Sequence, residues 1–178
     1  MEVNFVQEAR AIDSLRKSDF DAVSAYCEVI DNSIQANSKN IKVRFDTEQN
    51  ERTQIIKTLA FGDDGSGMDK ESLHRCLQLG WSSRYNNRDG IGRFGVGMTL
   101  AAIHECKRVE VYSKQEGGSW LWTYIDLQEI ENNDLKNIPE PVHKEMPIEF
   151  LNLVGKESGS LVLWSEYDRQ EKNAKNII

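Results

Sequence analysis

The sequence predicts an α/β (α+β) two-layer sandwich, in which helices cover one face of a mixed, largely antiparallel sheet. The first observation is a set of segments with strand-like alternation or short apolar runs: residues 41–46, 55–61, 109–113, 120–127 and 161–164. The second is that polar turns at residues 47–54 and 116–118 join consecutive strand segments, which indicates hairpins and antiparallel pairing. The third is a set of three predicted helices, residues 20–37, 69–80 and 96–105, of which the first has apolar residues at helical spacing.

The first half of the chain carries clear start and stop signals. Ser18 or Asp19 can cap the first helix, because their side-chain oxygens accept hydrogen bonds from the free backbone amides of a helix start. The turn-forming residues 37–40 end that helix. The strand that follows places Val43 and its apolar neighbours on one face and charged residues on the other.

In the second half of the chain, glycine and proline residues mark the boundaries of the predicted elements. Asp69 opens the second helix, and the glycine-rich residues 91–98 open the third. Residues 128–157 are predicted to be less regular because three prolines interrupt any long element. The polar tail from Arg169 is expected to begin a helix.

Length and composition predict one domain over residues 1–178, the N-terminal piece of a larger protein. Hydrophobic residues make up 39% and charged residues 29% of the chain, as in globular proteins. The formal net charge of -7 argues against direct nucleic-acid binding by this segment. No apolar run approaches the roughly 20 residues of a membrane span. Three unpaired, widely spaced cysteines favour a cytoplasmic (intracellular) protein whose thiols pack as small hydrophobes.

The first candidate site lies at residues 28–36, near the end of the first predicted helix. Glu28 and Asn32 are four residues apart, so they project from one helical face one turn apart. A carboxylate can take a proton from water, and a carboxamide oxygen can bind a hard cation such as magnesium. This pair suits attack of water on a metal-bound phosphate, although the segment alone is equally compatible with a solvated polar stripe.

The second candidate is the strand–loop–helix junction at residues 63–68. Glycines allow a sharp turn and a close approach of the backbone to a flat ligand. The carboxylate of Asp63 could accept a hydrogen bond from an exocyclic amine, such as that of adenine. Alone, this pattern is also common in turns without a ligand.

The third candidate is the glycine-rich helix start at residues 92–98. Backbone amides and the helix dipole at such a position suit phosphate. The segment is not a Walker A loop, because no Gly-Lys-Ser/Thr follows it. It is not a convincing Rossmann fingerprint either, because no short strand leads directly into it.

In this order and spacing, the segments resemble the GHKL ATPase superfamily of gyrase B subunits, ninety-kilodalton heat-shock chaperones, histidine kinases and MutL-type mismatch-repair proteins. Residues 28–36 resemble its N box and residues 63–68 its adenine-binding box. Residues 92–98 resemble its second glycine box, most closely that of the heat-shock chaperone and microrchidia branches. Residues 159–160, Gly-Ser, resemble a fourth element that is usually Gly-Thr. The resemblance spans residues 18–166 and implies the Bergerat ATP-binding fold.

The resemblance also implies roles for individual residues. Asp63 would hold the adenine amine, with help from Ser160 through its hydroxyl or a water. Asn32 would bind a magnesium ion that bridges the phosphates, and Glu28 would polarise the attacking water. ATP and Mg²⁺ are therefore the expected cofactors.

Further residues are expected around the phosphates and the base. Backbone amides of Gly95, Val96 and Gly97 would contact the phosphates. The remaining residues expected to line the nucleotide are Gly65, Gly67, Met68, Gly92 and Phe94. Residues 80–92 would form an ATP lid that becomes ordered when the γ-phosphate is present.

Glu28 bears on the reaction, because histidine kinases typically carry asparagine at the corresponding position. A carboxylate there favours hydrolysis over phosphotransfer. Hydrolytic relatives usually add a lysine or arginine to the γ-phosphate, and no lysine follows residues 97–100. Three arginines are candidates for that cation: Arg84, Arg88 and Arg93. If the cation lies outside this chain, hydrolysis in isolation would be slow.

The expected function is binding of Mg-ATP and its hydrolysis to ADP and phosphate, coupled to lid closure and dimerisation. The expected partners are ATP, a second copy of the chain in a nucleotide-dependent homodimer, and downstream domains or partner proteins, with no membrane. The alternative is a nucleotide-sensing interaction module that binds ATP without significant turnover. A kinase-like phosphotransfer domain is a further alternative, which Glu28 disfavours.

Overall fold

The computed structural model describes residues 8–17, 22–50, 53–79 and 97–168. In this part of the chain, six strands form an open sheet in which all neighbouring strands are antiparallel. The strands are β1 (Ile41–Asn50), β2 (Thr53–Asp63), β3 (Cys106–Lys114), β4 (Leu121–Asp126), β5 (Val142–His143) and β6 (Gly159–Tyr167). Their order across the sheet is β1-β2-β6-β3-β4-β5. The predicted, largely antiparallel α/β sandwich is confirmed.

Helices pack on one face of this sheet. They are α1 (Glu8–Arg16), α2 (Ala22–Gln35), α3 (Lys70–Arg75), α4 (Gly97–Glu105) and α5 (Leu127–Glu131). Along α2, the buried residues Ala25, Val29 and Ser33 recur every four positions and so share one face. Beside it, α4 buries three consecutive residues beginning at Ala101, because its small side chains let it lie close between neighbours. Sheet and helices thus enclose a single apolar layer.

The strand β6 lies at the centre of the sheet, between β2 and β3. Its residues alternate between the two faces: Val162 and Trp164 join the helix-side core, whereas Leu161 and Leu163 point the other way. Both sets are buried, which explains the continuous apolar run in the sequence. This antiparallel arrangement brings the first residues of β6 beside the last residues of β2, where the candidate site lies.

The opposite face of the sheet is partly covered by irregular chain. Met146, Phe150 and Leu153 bury their side chains against Tyr112 and the outward side of β6. A short 3₁₀ turn over Ile148–Phe150 presents Phe150 to this second, smaller core. The proline-containing segment between β4 and β6 is therefore irregular, as predicted, and it contributes to packing.

Several predicted boundaries were wrong. Residues 47–54 were expected to form a loop, but β1 continues to Asn50 and β2 begins at Thr53, with a register irregularity at Asp46/Thr47. Leu127 was assigned to a strand but starts α5, since the Asp126 carboxylate caps that helix by accepting from two backbone amides. The capping residues Ser18 and Asp19 and the tail from Arg169 lie outside the described residues.

The cysteines differ in their surroundings. Cys106 is buried, Cys76 is half-buried, and all three thiols are free. Cys27 is exposed on α2, so the expectation that the cysteines pack as small hydrophobes was wrong for this residue. None of the described helices is long and apolar enough to cross a membrane.

Candidate functional site

The site is centred on the carboxylate of Asp63, the last residue of β2. The side chain is only 5% exposed. Its Oδ2 accepts a hydrogen bond from the Ser33 hydroxyl of α2 at 3.0 Å. Its Oδ1 accepts from the backbone amide of Gly65 at 2.8 Å and, at 3.3 Å, from that of Ser160 at the start of β6. A helix, a strand end and a strand start therefore converge on one carboxylate.

The electrostatics of Asp63 are those of a buried acceptor. Burial raises the pKa of this carboxyl above its ordinary value, and the hydrogen bonds from Gly65 and Ser33 oppose that shift. The ionised form thus carries a desolvation cost that the surrounding donors only partly offset. Buried titratable groups of this kind are concentrated at functional sites.

The loop after Asp63 needs its glycines for steric reasons. A Cβ on Gly65 would lie 2.8 Å from the Ala36 carbonyl oxygen, too close for van der Waals contact. Gly67 adopts a left-handed backbone with φ of 68°, and a side chain there would overlap the Lys114 carbonyl of β3. The glycines predicted from the motif are therefore required by close backbone approach.

Asp64 joins this loop to the turn between α2 and β1. Its carboxylate accepts from the backbone amides of Lys39 and Asn40 at 2.8 Å each, and from the Asn40 side chain at 2.7 Å. The Asn40 side chain and backbone amide lower the pKa of Asp64 below its ordinary value. Sequence reasoning missed this role, although the Asp-Asp doublet at the strand end was visible.

A buried hydroxyl joins the loop to β3 and β6. Ser113 of β3 is fully buried, and its Oγ accepts from the Met68 backbone amide at 2.8 Å. The same oxygen lies 2.8 Å from the Ser160 hydroxyl and 3.3 Å from the Gly159 carbonyl oxygen. Met68 and Ser160 were both predicted site residues, and the structure brings them together through Ser113, which was not predicted.

The predicted Glu28 and Asn32 lie on the same helix as Ser33. Glu28 is half-buried and Asn32 is exposed. Burial, and next to it the negative charge of Asp31, raises the pKa of Glu28. At 1.5 Å rise per residue, Glu28 lies about 7–8 Å along the axis from Ser33. One helix therefore carries a base-type carboxylate near its middle and a donor to Asp63 in its last turn.

Comparison with known proteins bears on this arrangement. Residues 20–159 match the family model described as "Histidine kinase-, DNA gyrase B-, and HSP90-like ATPase". The chain belongs to this family. The GHKL resemblance inferred from the motifs is confirmed, and ATP binding and ATPase activity are the activities of the family.

Relatives of this GHKL domain include plant and animal proteins. The chain is 36% identical over 89 residues to Protein MICRORCHIDIA 3 of Arabidopsis thaliana, covering 46% of this chain and 14% of the relative. It is 31% identical over 104 residues to Protein MICRORCHIDIA 2 of the same plant, covering 54% and 15%. It is 28% identical over 95 residues to the ATPase morc-1 of Caenorhabditis elegans, covering 53% and 10%. The chain thus corresponds to a small part of much longer relatives.

Part of the GHKL site lies outside the described residues. This holds for Gly92 and Phe94, which were predicted to line the nucleotide, and for the predicted phosphate contacts Gly95 and Val96. It also holds for the predicted lid at residues 80–92 and the three candidate arginines. Gly97 is described and begins α4, so its amide stands at a helix start. These residues keep their predicted roles as predictions.

The described part of this GHKL domain offers few side-chain ligands for a metal ion. Within the four described ranges, no cluster of three or more His, Cys, Asp or Glu side chains could hold a metal ion. The exposed amide of Asn32 offers one oxygen ligand, which fits an ion held mainly by ligand phosphates and water.

Proposed function

We propose that this domain binds Mg-ATP through Asp63 and hydrolyses it to ADP and phosphate. The observation that carries the proposal is the buried carboxylate at the junction of α2, β2 and β6. A carboxylate has about four acceptor positions. The hydrogen bonds described above come from three protein donors, and the Ser38 side chain also acts on this carboxyl and lowers its pKa. An exocyclic adenine amine would supply a further donor and offset part of the desolvation of Asp63.

Two further residues of α2 are proposed to act at the phosphate end of the site. Asn32 would hold magnesium through its amide oxygen, and the phosphate oxygens would supply most other ligands. Glu28 would act as the general base, taking a proton from the attacking water while magnesium neutralises charge on the phosphates. A raised pKa makes Glu28 a stronger base than an exposed glutamate, provided that it is ionised.

The test is to measure ATP binding and phosphate release, with magnesium, for the wild-type chain and for Glu28→Ala. We expect Glu28→Ala to bind ATP with little change and to lose turnover by at least about 100-fold, the usual contribution of a general base. Glu48→Ala is the matched control. Glu48 lies on β1 opposite Ile55, at the end of the β1–β2 hairpin remote from Asp63, and its loss should leave both properties unchanged.

The alternative is a nucleotide-sensing module, and the same experiment separates it from an ATPase. Tight binding by the wild type without phosphate release would favour the sensor. It would also place the cation for the γ-phosphate on another domain or partner protein. No ATP binding by the wild type would contradict both functions.

Phosphotransfer to His74 or His104 is the less favoured reaction. His74 Nε2 lies 2.9 Å from the Ile138 carbonyl oxygen, and His104 Nδ1 lies 2.9 Å from Glu105 Oε1. These ring nitrogens are engaged within the fold. Transfer would nevertheless leave labelled phosphate on the protein after incubation with γ-labelled ATP, and hydrolysis would leave none.

Lid closure over ATP and nucleotide-dependent homodimerisation complete the proposed cycle. The family relationship supports both, and the greater length of the relatives supports coupling to further domains or partner proteins. Sedimentation with and without a non-hydrolysable ATP analogue would measure the dimer. A chain that remains monomeric with saturating analogue would contradict dimerisation by this segment.

A further inference from the structure

The buried hydroxyl of Ser113 has a role that the site motifs do not assign. It lies in β3, on neither of the loops that surround Asp63, and it is 0% exposed. Its oxygen contacts the Met68 amide, the Ser160 hydroxyl and the Gly159 carbonyl. One side chain therefore joins the loop after β2 to the start of β6.

Counting donors and acceptors limits where the hydroxyl hydrogens of Ser113 and Ser160 can lie. The Met68 amide can only donate, so Ser113 Oγ accepts there. The single hydrogen of Ser113 can then go to the Ser160 hydroxyl at 2.8 Å or to the Gly159 carbonyl at 3.3 Å. The first distance is the usual one between hydroxyl oxygens, and the second exceeds the normal range. When a ligand acceptor takes the hydrogen of Ser160, Ser113 donates to Ser160 across the shorter contact. Without such an acceptor, Ser160 can donate to Ser113, and Ser113 can donate to the Gly159 carbonyl.

In the first of these arrangements, the hydrogen of Ser160 is available to a ligand. Its oxygen already accepts from Ser113, so its own O–H can point away from β3. The backbone amide of Ser160 lies 3.3 Å from Asp63 Oδ1, so the Ser160 hydroxyl lies near the Asp63 carboxylate. We call the surface formed by these two groups the wall of the site. The wall then presents an acceptor, Asp63, beside a donor, Ser160.

We propose that Ser113 is a positioning residue that selects the base, by making Ser160 a donor to the ring nitrogen next to the amine bound by Asp63. This inference rests on the proposed ATP site. Adenine offers an amine donor beside a ring acceptor, which matches the wall at both positions. A 6-oxo purine offers an acceptor beside a ring N–H donor, which mismatches both.

The experiment compares ATP with 1-deaza-ATP, which keeps the amine and the phosphates but has C–H in place of that ring nitrogen. A neutral hydrogen bond is worth roughly 0.5–1.5 kcal/mol, so the wild type should prefer ATP by about 2–10-fold in Kd. In Ser113→Ala the preference should fall to less than about 2-fold. A purely structural role would weaken both ligands together and leave their ratio unchanged.

Ser158→Ala is the matched control. Ser158 also uses its hydroxyl to hold the site loop, but it donates to the Gly65 carbonyl, at 2.7 Å, instead of to the Ser113–Ser160 pair. This variant should keep the wild-type ratio of the two dissociation constants. If Ser113→Ala does not fold, Ser113→Cys, which has similar volume and a weak donor, should show the same loss of preference.

The outcomes separate this inference from the proposed function. A wild-type preference retained in a folded Ser113 variant would overturn the inference and leave Ser113 as a loop anchor. Equal binding of ATP and 1-deaza-ATP by the wild type would also overturn it, while ATP binding itself stands. Failure of the wild type to bind ATP would instead overturn the proposed function.

Discussion

Replacing Asp63 with asparagine removes the charge at the centre of the site and keeps its shape. The Oδ1 position can still accept from the Gly65 and Ser160 amides. The new amide nitrogen would face Ser33, whose hydroxyl can reverse and accept, since it already lies 3.4 Å from the Val29 carbonyl as an alternative acceptor for its own hydrogen. Asp63→Asn is therefore expected to fold.

The stability of this variant follows from the pKa of Asp63. Because burial raises the folded-state pKa, stability due to this group is fully present below the unfolded pKa and is lost as pH rises through the folded pKa. At pH 7.5 the wild-type chain therefore carries the cost of an ionised buried carboxylate. The melting temperature of ligand-free Asp63→Asn should equal or exceed that of the wild type there. The difference should shrink as pH falls.

The effect on ligand binding should be large and opposite. A hydrogen bond to a charged group is worth roughly 1.5–3 kcal/mol, and the asparagine NH₂ would also oppose the adenine amine. We expect ATP affinity to fall by about 10–150-fold. The affinity for purine riboside triphosphate, which lacks only the amine, should change little in Asp63→Asn. The preference of this variant for ATP over the analogue should therefore be much smaller than that of the wild type.

Calorimetric titration of both nucleotides and thermal unfolding at two pH values would test this reasoning. Asp126→Asn is the control, because Asp126 is also 5% exposed but instead caps α5 and pairs with Arg108. It should lower stability and keep the nucleotide preference. An unchanged preference in a folded Asp63→Asn variant would refute the assignment of Asp63 to the amine.

Two other substitutions test neighbouring parts of the site. Asp31→Asn removes the negative charge that helps to raise the pKa of Glu28, so the loss of turnover on acidification should shift to lower pH; an unshifted pH–rate profile would argue against Glu28 as the base. Gly67→Ala forces a left-handed alanine at a cost of about 1–2 kcal/mol, roughly 2–8 °C in melting temperature, before the overlap with β3 is added. A melting temperature equal to that of the wild type in differential scanning fluorimetry would contradict this account of the loop.

The elements could be predicted where a local pattern determines them. Strand alternation from Ile41 and helical spacing in α2 depend on which side chains meet the core, and both are visible in sequence. The extension of β1 to Asn50 was not predictable in this way, since its last residues are polar throughout. Backbone pairing with β2 continues there because the ladder needs no apolar face once the hairpin is in register.

The residues of the candidate site also differ in whether a local sequence pattern predicts them. Glu28, Asn32 and Asp63 could be predicted as candidates because their spacing and order are local features of the sequence. Ser33 lay within the first motif, but its contact with Asp63 depends on how α2 packs against β2. Ser113 carried no local signal, because a serine in a strand is ordinary until Met68 and Ser160 are brought to it by the sheet.

The architecture explains why the carboxylate of Asp63 is placed at a strand end. A buried acid within the sheet would have to find donors among backbone amides that the ladder already uses. At the end of β2, the amides of Gly65 and Ser160 are free to turn toward it, and α2 supplies the Ser33 hydroxyl. These hydrogen bonds offset part, but not all, of the desolvation cost of the ionised carboxylate. A ligand that contributes one more donor stabilises the folded state at the same point, so binding energy and local stability are coupled through one side chain.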